Sequence, residues 1–414
     1  MAPPEFVNTA PQPSTPAPDA DPDAVIIGGC GRVGLPLGLA LSARGLSIAL
    51  LDSDQRAVAE VNRGQMPFVE PGAQHHLTQA LHEAGLRATT DPSIVAVTPV
   101  VIVVVATPVD AHQYPELSVI PNLVRQYGPH LRDGQLIVLR STLFPGTTRH
   151  AERLLDERGI HADVVCCPER IAEGHAMSEL FDLPQLIGAR TPTALARAEK
   201  LFQHLSRTIA LSPEEAEFAK LAANTWRYMK FAAANQLWMI ANDAGLDFER
   251  IRLALTDQYP RAEDLPRPGF TAGPCLPKDT QQLLALANNN APLAHAALAV
   301  NEALPLYLIA RLAQLYRLED LTVGILGTAF KADNDDDRES LVSKLRAALT
   351  PRARRVLCAD PYVHDPQLIT QEQILTASDL IIIGTPHERY RTIRTMTSTP
   401  VIDIFNVTGQ GVQV

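Results

Sequence analysis

Residues 24–37 read AVIIGGCGRVGLPL, and this stretch decides the fold of the first part of the chain. A short apolar run leads into Gly29, Gly31 and Gly34, spaced G-x-G-x-x-G, and a helical pattern begins directly afterwards. In dinucleotide-binding domains the first glycine allows a tight turn, the second lets the backbone approach a pyrophosphate, and the third lets the helix pack on the strand. The free N–H groups at the start of that helix attract phosphate. The stretch therefore predicts a strand, a phosphate-binding turn and a helix.

An acidic residue at the end of the next apolar run, SIALLD, supports the same interpretation. Asp52 follows the glycine turn at the spacing of about 20 residues at which a carboxylate accepts both hydroxyls of a ribose. This favours NAD over NADP as the cofactor. Arg56 keeps NADP open, because an arginine nearby can bind a 2′-phosphate. Cys30, inside the turn, is interpreted as a spacing residue without a chemical role.

Two later strand ends, ATPVD and STLFPGTT, carry hydroxyl groups. Ligands of open α/β sheets lie beyond the carboxyl ends of the strands, so these hydroxyls are candidates for the nicotinamide side of the cleft. Capping of the local backbone is an equally good alternative for each of them. The expected cofactor contacts in this part of the chain are Gly29, Gly31, Arg32, Val33, Gly34, Asp52, Thr107, Pro108, Ser141 and Thr142.

The pattern of apolar runs predicts an α/β protein. Val- and Ile-rich runs alternate with helical stretches over 23–211, which is typical of a parallel sheet covered on both faces. A helical region with one long helix, starting at SPEE and ending near Gly245, occupies 212–317, and four more strand candidates occur in 318–414. We expect two Rossmann-like, doubly wound parallel-sheet domains joined by a helical central domain. A Pro/Ala-rich tail at 1–22 is expected to be disordered.

The bulk composition excludes several classes of protein. A chain of 414 residues with 46% hydrophobic composition can form two or three separate cores. The net charge of -10 argues against a nucleic-acid or anionic-membrane partner. The tail lacks the basic start and apolar core of a signal peptide, and runs such as VVIVVVA are too short to span a bilayer, so we expect a soluble, cytoplasmic protein. The five cysteines show no metal-binding spacing, which predicts no metal site and a reducing compartment.

The loop PGFTAGPCLPKDT contains one cysteine among glycines and prolines. From the residues alone, Cys275 is either a small packing residue in a turn or a nucleophile held on a rigid loop. Packing is the commoner fate of a free cysteine, so the loop by itself does not decide between the two.

Two pairs of polar residues, each four positions apart, are also ambiguous. Lys220 and Asn224 lie on the long helix, where they are either surface groups or a pair that stabilises an oxyanion in a dry cleft. Glu169 and Glu173 would share one side if a helical turn followed Pro168. One of them could then act as a base, while the alternative is a solvated helix start whose acids favour the dipole.

Ten motifs occur in an order that resembles the nucleotide-sugar 6-dehydrogenases, the family of UDP-glucose and UDP-N-acetylmannosamine dehydrogenases. The resemblance extends from Ala24 to about Val407, and the cysteine loop is its most specific part. The motifs are VIIGGCGRVGLPL, NRGQMPFVEPG, ATPVD, STLFPGTT, CPERIAEG, KLAANTWRYMKFAAANQ, PGFTAGPCLPKDT, GTAFKADNDDDRES, ADPYV and GTPHERY.

The resemblance implies an NAD-dependent, four-electron oxidation of the 6-hydroxymethyl group of a UDP-sugar to the uronate. A first hydride transfer gives an aldehyde, a cysteine thiolate adds to give a thiohemiacetal, a second transfer gives a thioester, and water hydrolyses it. Covalent capture keeps the reactive aldehyde bound while the cofactor is exchanged. The implied partners are the UDP-sugar and a second copy of the chain in a homodimer.

The same resemblance implies roles for individual residues. The implied catalytic residues are Cys275 as nucleophile, Lys220 and Asn224 at the oxyanion, Asp279 and Thr142 at a water, and Glu169 as the base for hydrolysis. Lys278, a cation close to the thiol, is expected to favour the thiolate. Glu173 and Arg338 are expected on the cofactor side.

The second Rossmann-like domain is expected to bind the nucleotide diphosphate of the sugar. Phe330 and Lys331 match an FK element there, and Arg261 matches an arginine that comes from the neighbouring subunit. The implied substrate contacts are Glu169, Arg170, Lys220, Asn224, Arg261, Phe270, Gly273, Phe330 and Lys331.

The chain departs from the family pattern around the substrate. Pro274 stands where many relatives have His or Ser, Gln236 where a Glu is usual, and Phe405 where an Arg is frequent. Arg170, in PER instead of PEF, favours an N-acetylhexosamine such as N-acetylmannosamine over glucose. UDP-glucose oxidation is the alternative. A two-electron hydroxyacid or sugar-acid dehydrogenase and a non-catalytic nucleotide-sugar sensor also stay open.

Overall fold

The computed structural model describes residues 21–83, 85–271 and 273–414. The expected disordered tail therefore lies, up to residue 20, outside the described residues. The described chain divides into two compact units. The first consists of the described residues up to Ala106 with Ser118–Ser141 and Gly146–Ala216, and the second of Thr107–Leu117, Thr142–Pro145 and Glu217–Val414.

The first unit contains, within the described residues, one sheet of eight strands in the order β3-β2-β1-β4-β5-β6-β7-β8. The strands are β1 Ala24–Ile27, β2 Ile48–Leu51, β3 Arg87–Thr89, β4 Val100–Val103, β5 Leu136–Leu139, β6 Asp163–Cys166, β7 Gln185–Ala189 and β8 Thr208–Leu211. The first six are parallel and follow the strand order of dinucleotide-binding folds, which reverses direction between β1 and β4. A ligand is expected at that reversal.

The sequence predicted five of these strands and missed three. The apolar runs at β1, β2, β4, β5 and β6 are confirmed as buried parallel strands. The missed β3 has the sequence RAT and the missed β8 is only partly buried, so neither shows a continuous apolar run. The missed β7 contains a glycine and pairs with β6 in the antiparallel direction.

Helices cover this sheet. They are α1 Gly34–Ser42, α2 Gln55–Asn62, α3 Ala73–Glu83, α4 Ile94–Val97, α5 Val119–Tyr127, α6 Thr147–Asp156, α7 Ala176–Asp182 and α8 Pro192–Phe202. The predicted helix after the glycine turn is confirmed as α1, which is buried along its whole length. Leu35, Leu39 and Ile26 lie in one core beside this helix.

The middle of the chain is helical, as predicted. Its helices are α9 Pro213–Asp243, α10 Phe248–Thr256, α11 Leu276–Leu286 and α12 Pro292–Leu315. The long helix α9 begins at the proline of SPEE, with Glu214 and Glu215 in its first turn, and Gly245 follows its end with φ 72°. The sequence predicts a helix at TQQLLALANN, which begins at Thr280, whereas α11 starts directly after Cys275.

The second unit contains a four-stranded parallel sheet in the order β10-β9-β11-β12. Its strands are β9 Thr322–Leu326, β10 Arg355–Ala359, β11 Leu380–Ile383 and β12 Val401–Ile402, and its helices are α13 Leu341–Leu349 and α14 Gln371–Ala377. All four strand predictions are confirmed. The order reverses between β9 and β11, so the loops after these strands form the expected ligand-binding edge.

One helix of the described chain, α12, is long and apolar enough to cross a membrane by length and composition alone. Core helices of soluble proteins pass the same test, and 39% of its most apolar 18-residue window is buried. The helix packs Leu304, Leu308 and Leu312 into the second unit, and its Glu302 binds Lys344 at 3.2 Å. It is weak support for a membrane span.

Candidate active site

The turn after β1 is tighter than the glycine motif alone predicts. Gly28 has φ 77°, and a Cβ there would overlap the carbonyl oxygen of Val104. Gly28 therefore makes the tight turn that the sequence assigned to Gly29. Gly29 is instead packed against β2, where a Cβ would lie 2.7 Å from the Cα of Leu50. The doublet GG in the sequence is the signal that could have identified Gly28.

The start of α1 has the shape that a pyrophosphate requires. A Cβ on Gly34 would collide with the carbonyl oxygen of Gly28, so only glycine lets the helix lie this close to the turn. At Gly31 the nearest atom to a Cβ would be 3.6 Å away, which leaves that side of the turn open. Val33, at the N-cap position, makes no side-chain hydrogen bond to the start of α1, and the N–H of Leu35 donates to the carbonyl of Gly31 at 2.9 Å. The positive end of the helix dipole lies at this turn and attracts phosphate oxygens.

Two hydrogen bonds fix the side chain of Asp52 beside this turn. Its Oδ2 accepts a hydrogen bond from the backbone N–H of Cys30 at 3.0 Å, and its Oδ1 accepts one from Asp54 at 3.1 Å. Arg56, the residue that kept NADP open, is 79% exposed and lies 3.7 Å from Glu60 on its own helix. Burial, with the charge of Asp52, raises the pKa of the Cys30 thiol to about 12, in keeping with a spacing role. These residues fit NAD.

We expect Asp52→Ala to weaken NAD+ binding roughly 10- to 100-fold, because hydrogen bonds to a charged group contribute about 1.5–3 kcal/mol each. Calorimetric titration with NAD+ measures the change. Asp54→Ala is the matched control, since Asp54 only caps α2 through its bonds to Arg56 and Ala57. Equal losses in both variants would contradict the ribose-binding role of Asp52.

The acidic pair after β6 is not arranged as predicted. Residues 168–173 form no helix, so the expected shared face of Glu169 and Glu173 is wrong. Glu169 Oε1 accepts hydrogen bonds from the backbone N–H groups of Arg170 at 2.7 Å and Ile171 at 3.1 Å. Its Oε2 pairs with the guanidinium of Arg140. Glu173 Oε2 lies 4.0 Å from Arg32 Nη1, which brings two predicted cofactor residues together.

Arg140 is a residue that the sequence analysis missed. Its side chain is fully buried at the end of β5, beside the partly buried carboxylate of Glu169. Its other bonds go to the carbonyl of Cys167 at 3.0 Å and to Gln185 Oε1 at 2.8 Å, and its guanidinium lies 4.9 Å from the centre of the Phe202 ring. A lone cation at the end of an apolar strand, in LIVLRST, was the available signal.

The other predicted residues of the first unit make local contacts. Ser141 Oγ donates to the carbonyl of Val105 at 2.7 Å and accepts from its N–H at 2.8 Å, which is the backbone-capping alternative. Arg170 donates to the carbonyl of Pro184, and burial lowers the pKa of its guanidinium.

In the second unit, Thr107 and Thr142 lie together. Thr107 Oγ1 donates to the carbonyl of Thr142 at 2.6 Å. The carbonyl of Thr107 accepts a hydrogen bond from Gln282 on α11 at 3.2 Å. Thr107 is therefore hydrogen-bonded both to Thr142 and to the helix that follows the cysteine loop.

Cys275 is exposed and precedes the first residue of α11. All five cysteines lie in the described part of the chain, and the other four are buried. Burial raises the pKa of the Cys167 thiol to about 12 and that of Cys358 to about 11, so both stay protonated at neutral pH. The start of a helix favours an anionic sulfur. Cys275 is thus the cysteine whose position suits a nucleophile.

Buried polar groups surround the first turn of α11. Lys220 is 9% exposed and Asn224 5%, and both lie on one face of α9. Asn224 Nδ2 donates to Asp279 Oδ2 at 2.6 Å, and Asp279 is fully buried. Lys278, expected to favour the thiolate, forms an ion pair with Asp279 Oδ1 at 2.5 Å. The structure therefore unites the predicted amide and carboxylate and places Lys220 one turn away.

The cysteine loop has a buried anchor that the sequence analysis missed. Asn235 Oδ1 accepts from the N–H of Gly269 at 2.8 Å, and its Nδ2 donates to the carbonyl of the same residue at 3.1 Å. Asn235 also donates to Asn301 Oδ1 on α12 at 2.9 Å. An asparagine on a helix gives no sequence signal of this kind. Its neighbour Gln236, one of the departures from the family pattern, is exposed.

Gly273 and Phe330, both predicted substrate contacts, pack against each other. Gly273 has φ 95°, and a Cβ there would lie 2.5 Å from Phe330 Cδ2, so the ring covers the glycine. The N–H of Gly273 donates to the carbonyl of Glu339 at 3.2 Å. The FK element is therefore in contact with the cysteine loop, and Lys331 is half-buried beside it.

Three predicted residues lie apart from this cluster or inside the core. Phe270 is 6% exposed and packs edge-to-face on Phe405 at 5.8 Å, so here it serves packing. Arg338 pairs with Asp336 at 2.5 Å. Arg261 is exposed, with its guanidinium 5.6 Å from the Tyr259 ring centre.

Comparison with known proteins gives one family. Residues 23–206 match the NAD binding domain of the UDP-glucose/GDP-mannose dehydrogenase family, 214–303 its central domain and 324–410 its UDP binding domain. A relative, the NDP-N-acetyl-D-galactosaminuronic acid dehydrogenase of Ralstonia nicotianae, is 29% identical, with 93% of this chain and 96% of the relative covered.

Two solved structures share the fold. UDP-D-ManNAc dehydrogenase from Pyrococcus horikoshii matches with a TM-score of 0.86 and 26% identity, covering 93% of this chain and 96% of that one. A UDP-glucose dehydrogenase from Pyrobaculum islandicum matches with a TM-score of 0.84 and 26% identity, covering 91% and 92%.

Proposed function

The chain belongs to the UDP-glucose/GDP-mannose dehydrogenase family, and from this premise we propose that it oxidises the 6-hydroxymethyl group of a UDP-N-acetylhexosamine to the carboxylate. It is an NAD-dependent nucleotide-sugar dehydrogenase. The observation that carries the proposal is Cys275, an exposed thiol at the start of α11, four residues from the buried Asp279 that binds Asn224. A dehydrogenase that stopped at the aldehyde would need no such nucleophile.

The first oxidation requires stabilisation of negative charge on oxygen. The sugar C6 loses a hydride and its hydroxyl loses a proton, and bound NAD+ supplies the hydride acceptor for this and the later oxidation. Lys220 and Asn224, both buried on one face of α9, donate to the oxygen as its charge develops. A dry ammonium and amide are effective here because the surroundings are of low dielectric.

The covalent steps follow at Cys275. The thiolate adds to the aldehyde carbon and the carbonyl oxygen takes up a proton, which gives a thiohemiacetal with a new C–S bond. Loss of the hydroxyl proton to water and of a second hydride from C6 to NAD+ then leaves a thioester. Water then attacks the thioester carbon, the C–S bond breaks, and the thiolate leaves. By the family resemblance, Asp279 and Thr142 orient that water, and Glu169 accepts its proton. One sugar therefore consumes one water and yields two NADH and one uronate.

An N-acetylhexosamine is the preferred sugar. The relatives named above include an N-acetyl-D-galactosaminuronic acid dehydrogenase and a UDP-D-ManNAc dehydrogenase. Arg170 stands in the PER motif and is half-buried, tied to the carbonyl of Pro184. UDP-glucose is the second candidate, because a UDP-glucose dehydrogenase has the same fold at the same identity.

A substrate panel tests the assignment. With NAD+ in excess, we expect kcat/KM for UDP-N-acetylmannosamine or another UDP-N-acetylhexosamine to exceed that for UDP-glucose, and NADP+ to replace NAD+ poorly. A higher kcat/KM for UDP-glucose would contradict the proposed sugar and identify UDP-glucose as the preferred substrate. The absence of NADH formation with every UDP- and GDP-sugar would remove the proposed function.

A homodimer is the proposed assembly, formed through α9. This helix exposes large apolar side chains on one side: Trp226 at 60%, Leu237 at 44% and Ile240 at 58%. They recur at about three and four helical turns from Trp226, so they form one stripe. An exposed apolar stripe of this kind is typical of an interface between subunits. In the dimer, Arg261 would reach the substrate of the partner.

We expect the double variant Trp226→Glu, Ile240→Glu to sediment as a monomer, because it places charges in the apolar stripe. Sedimentation velocity of wild type and variant measures this. Gln236→Glu, a change of an exposed polar residue on the same helix, is the control. A variant that sediments like the wild type would place the interface elsewhere.

A reducing, cytoplasmic compartment fits the proposed chemistry. All five cysteines are free thiols, and the thiohemiacetal step requires Cys275 to remain reduced. A disulfide at this residue would remove the nucleophile.

A further inference from the structure

A buried acid–histidine pair lies beyond the carboxyl ends of the second sheet, and the proposed reaction gives it no role. Asp360 directly follows β10, and His387 lies in the loop after β11. Both side chains are fully buried, with Asp360 Oδ2 and His387 Nε2 3.1 Å apart. Burying two ionisable groups costs free energy unless they are paired and hydrogen-bonded, so their partners show what the pair organises.

The hydrogen bonds of His387 fix where its proton lies. The backbone N–H of Asp333 donates to His387 Nδ1 at 2.8 Å, so Nδ1 carries a lone pair. The ring proton then lies on Nε2, which donates to Asp360 at 3.1 Å. Burial acts to raise the pKa of Asp360, but hydrogen bonds from His387, Thr328 and Tyr362 outweigh it and hold that pKa well below its usual range. The carboxylate is therefore a permanent acceptor.

The pair forms hydrogen bonds to both ends of one short segment. We call residues 328–333 the substrate loop. At its start, Asp360 Oδ2 accepts from the N–H of Thr328 at 2.6 Å and of Ala329 at 3.1 Å. At its end, His387 holds Asp333, whose φ of 52° is a left-handed conformation that costs a non-glycine residue about 1 kcal/mol. Phe330 and Lys331 lie between these two hydrogen-bonded ends.

A comparison of the two sheets shows what the acid is used for. Asp52 and Asp360 hold equivalent places, each directly after the strand that lies beside the first strand of its sheet. Asp52 accepts from two backbone N–H groups, those of Cys30 and Asp54. The Asp360 side chain is fully buried, and its oxygens accept from four backbone N–H groups and a ring nitrogen. These bonds make Asp360 an acceptor that shapes the loop.

The loop in turn contacts the cysteine loop. The Phe330 ring covers Gly273, two residues before Cys275, at a place where a Cβ would lie 2.5 Å from the ring. The N–H of Phe330 donates to the carbonyl of Asp336 at 2.9 Å, which joins the substrate loop to the residues that follow it. A displaced loop would therefore move Phe330 and Lys331 together.

We propose that Asp360 and His387 are positioning residues that set the affinity for the nucleoside diphosphate of the substrate by fixing the substrate loop, without touching the ligand. This inference rests on the proposed function, which places the UDP moiety at the second sheet. It predicts that loss of the pair raises KM for the nucleotide sugar and weakens UDP binding, while NAD+ affinity stays nearly unchanged.

Three variants separate the two hydrogen bonds of His387. His387→Ala loses both, His387→Asn keeps an acceptor at the position of Nδ1, and His387→Gln keeps a donor near that of Nε2. Calorimetric titration with UDP and, separately, with NAD+ gives the two affinities, and steady-state kinetics gives KM and kcat. His364→Asn, at an exposed histidine of the same unit, is the control.

We expect His387→Ala to bind UDP about tenfold or more weakly, the effect of one to two lost hydrogen bonds, with His387→Asn intermediate and NAD+ affinity retained. UDP affinity equal to wild type in all three variants would overturn the inference. Parallel losses of UDP and NAD+ affinity would also overturn it, because they indicate a general structural role. A wild type that binds NAD+ but not UDP would refute the proposed function, and the inference with it.

Discussion

Cys275→Ala should lower uronate formation by at least about a thousandfold, the scale on which loss of a covalent nucleophile acts, or ~4 kcal/mol of barrier. Cys275 lies at the start of α11, beside the buried pair of Asn224 and Asp279. The glycine turn and Asp52, the proposed pyrophosphate and ribose contacts, lie in the first unit, so NAD+ affinity should stay at the wild-type value. Quantifying uronate by chromatography, alongside NAD+ titration, measures both quantities.

Cys358→Ala is the matched control for this variant. Burial raises the pKa of the Cys358 thiol to about 11, so it has no part in nucleophilic chemistry at neutral pH. Iodoacetamide should inactivate the wild type and Cys358→Ala equally, with the label on Cys275. Uronate formation by Cys275→Ala at the wild-type rate would rule out the covalent route.

Arg140→Leu should destabilise the first unit by about 3–5 kcal/mol, because removal of one partner leaves a buried charge without compensation. The Arg140 side chain is fully buried, and besides Glu169 it binds Cys167 and Gln185. At about 2–4 °C per kcal/mol for a unit of this size, the unfolding temperature should fall by roughly 10 °C. Differential scanning calorimetry measures the change.

Two further variants separate charge from packing. Arg149→Leu removes a cation that is 70% exposed and pairs with Glu214 at 2.8 Å, and exposed pairs of this kind contribute about 0–1 kcal/mol. Adding Glu169→Gln to Arg140→Leu removes the stranded carboxylate charge, so the double variant should regain part of the lost stability. Equal falls in the unfolding temperature for Arg140→Leu and Arg149→Leu would show that the buried pair contributes no more stability than the exposed pair.

Much of the fold could be predicted because it is expressed in local sequence. The strands β1 and β11 are continuous apolar runs, and α9 begins at a proline followed by two acids. Of the strands that were missed, β3 has three residues, β8 is only partly buried and β7 pairs with β6 in the antiparallel direction, so no continuous apolar run marks them. The helix α11 was placed too late because its first turn contains Pro277, which is compatible with both a loop and a helix start.

Site residues could be predicted from the sequence only where they belong to a recognisable motif. Lys220 and Asn224 share a face because α9 is helical, whereas Glu169 and Glu173 do not, because the segment after Pro168 is irregular. Spacing by four residues has meaning only on a helix. No motif identified the residues that act through tertiary contacts. Arg140, Asn235 and His387 bind groups 27 or more positions away in the chain, and only the folded structure brings these together.

The central claim is that one sugar is oxidised twice at Cys275. A limiting amount of UDP-N-acetylhexosamine, incubated to completion with excess NAD+, should give two NADH and one uronate per sugar, with no free aldehyde. The same reaction followed over time should show no accumulation of product at the one-NADH stage. A ratio of one NADH per sugar, with an aldehyde or ketone as the final product, would contradict the account.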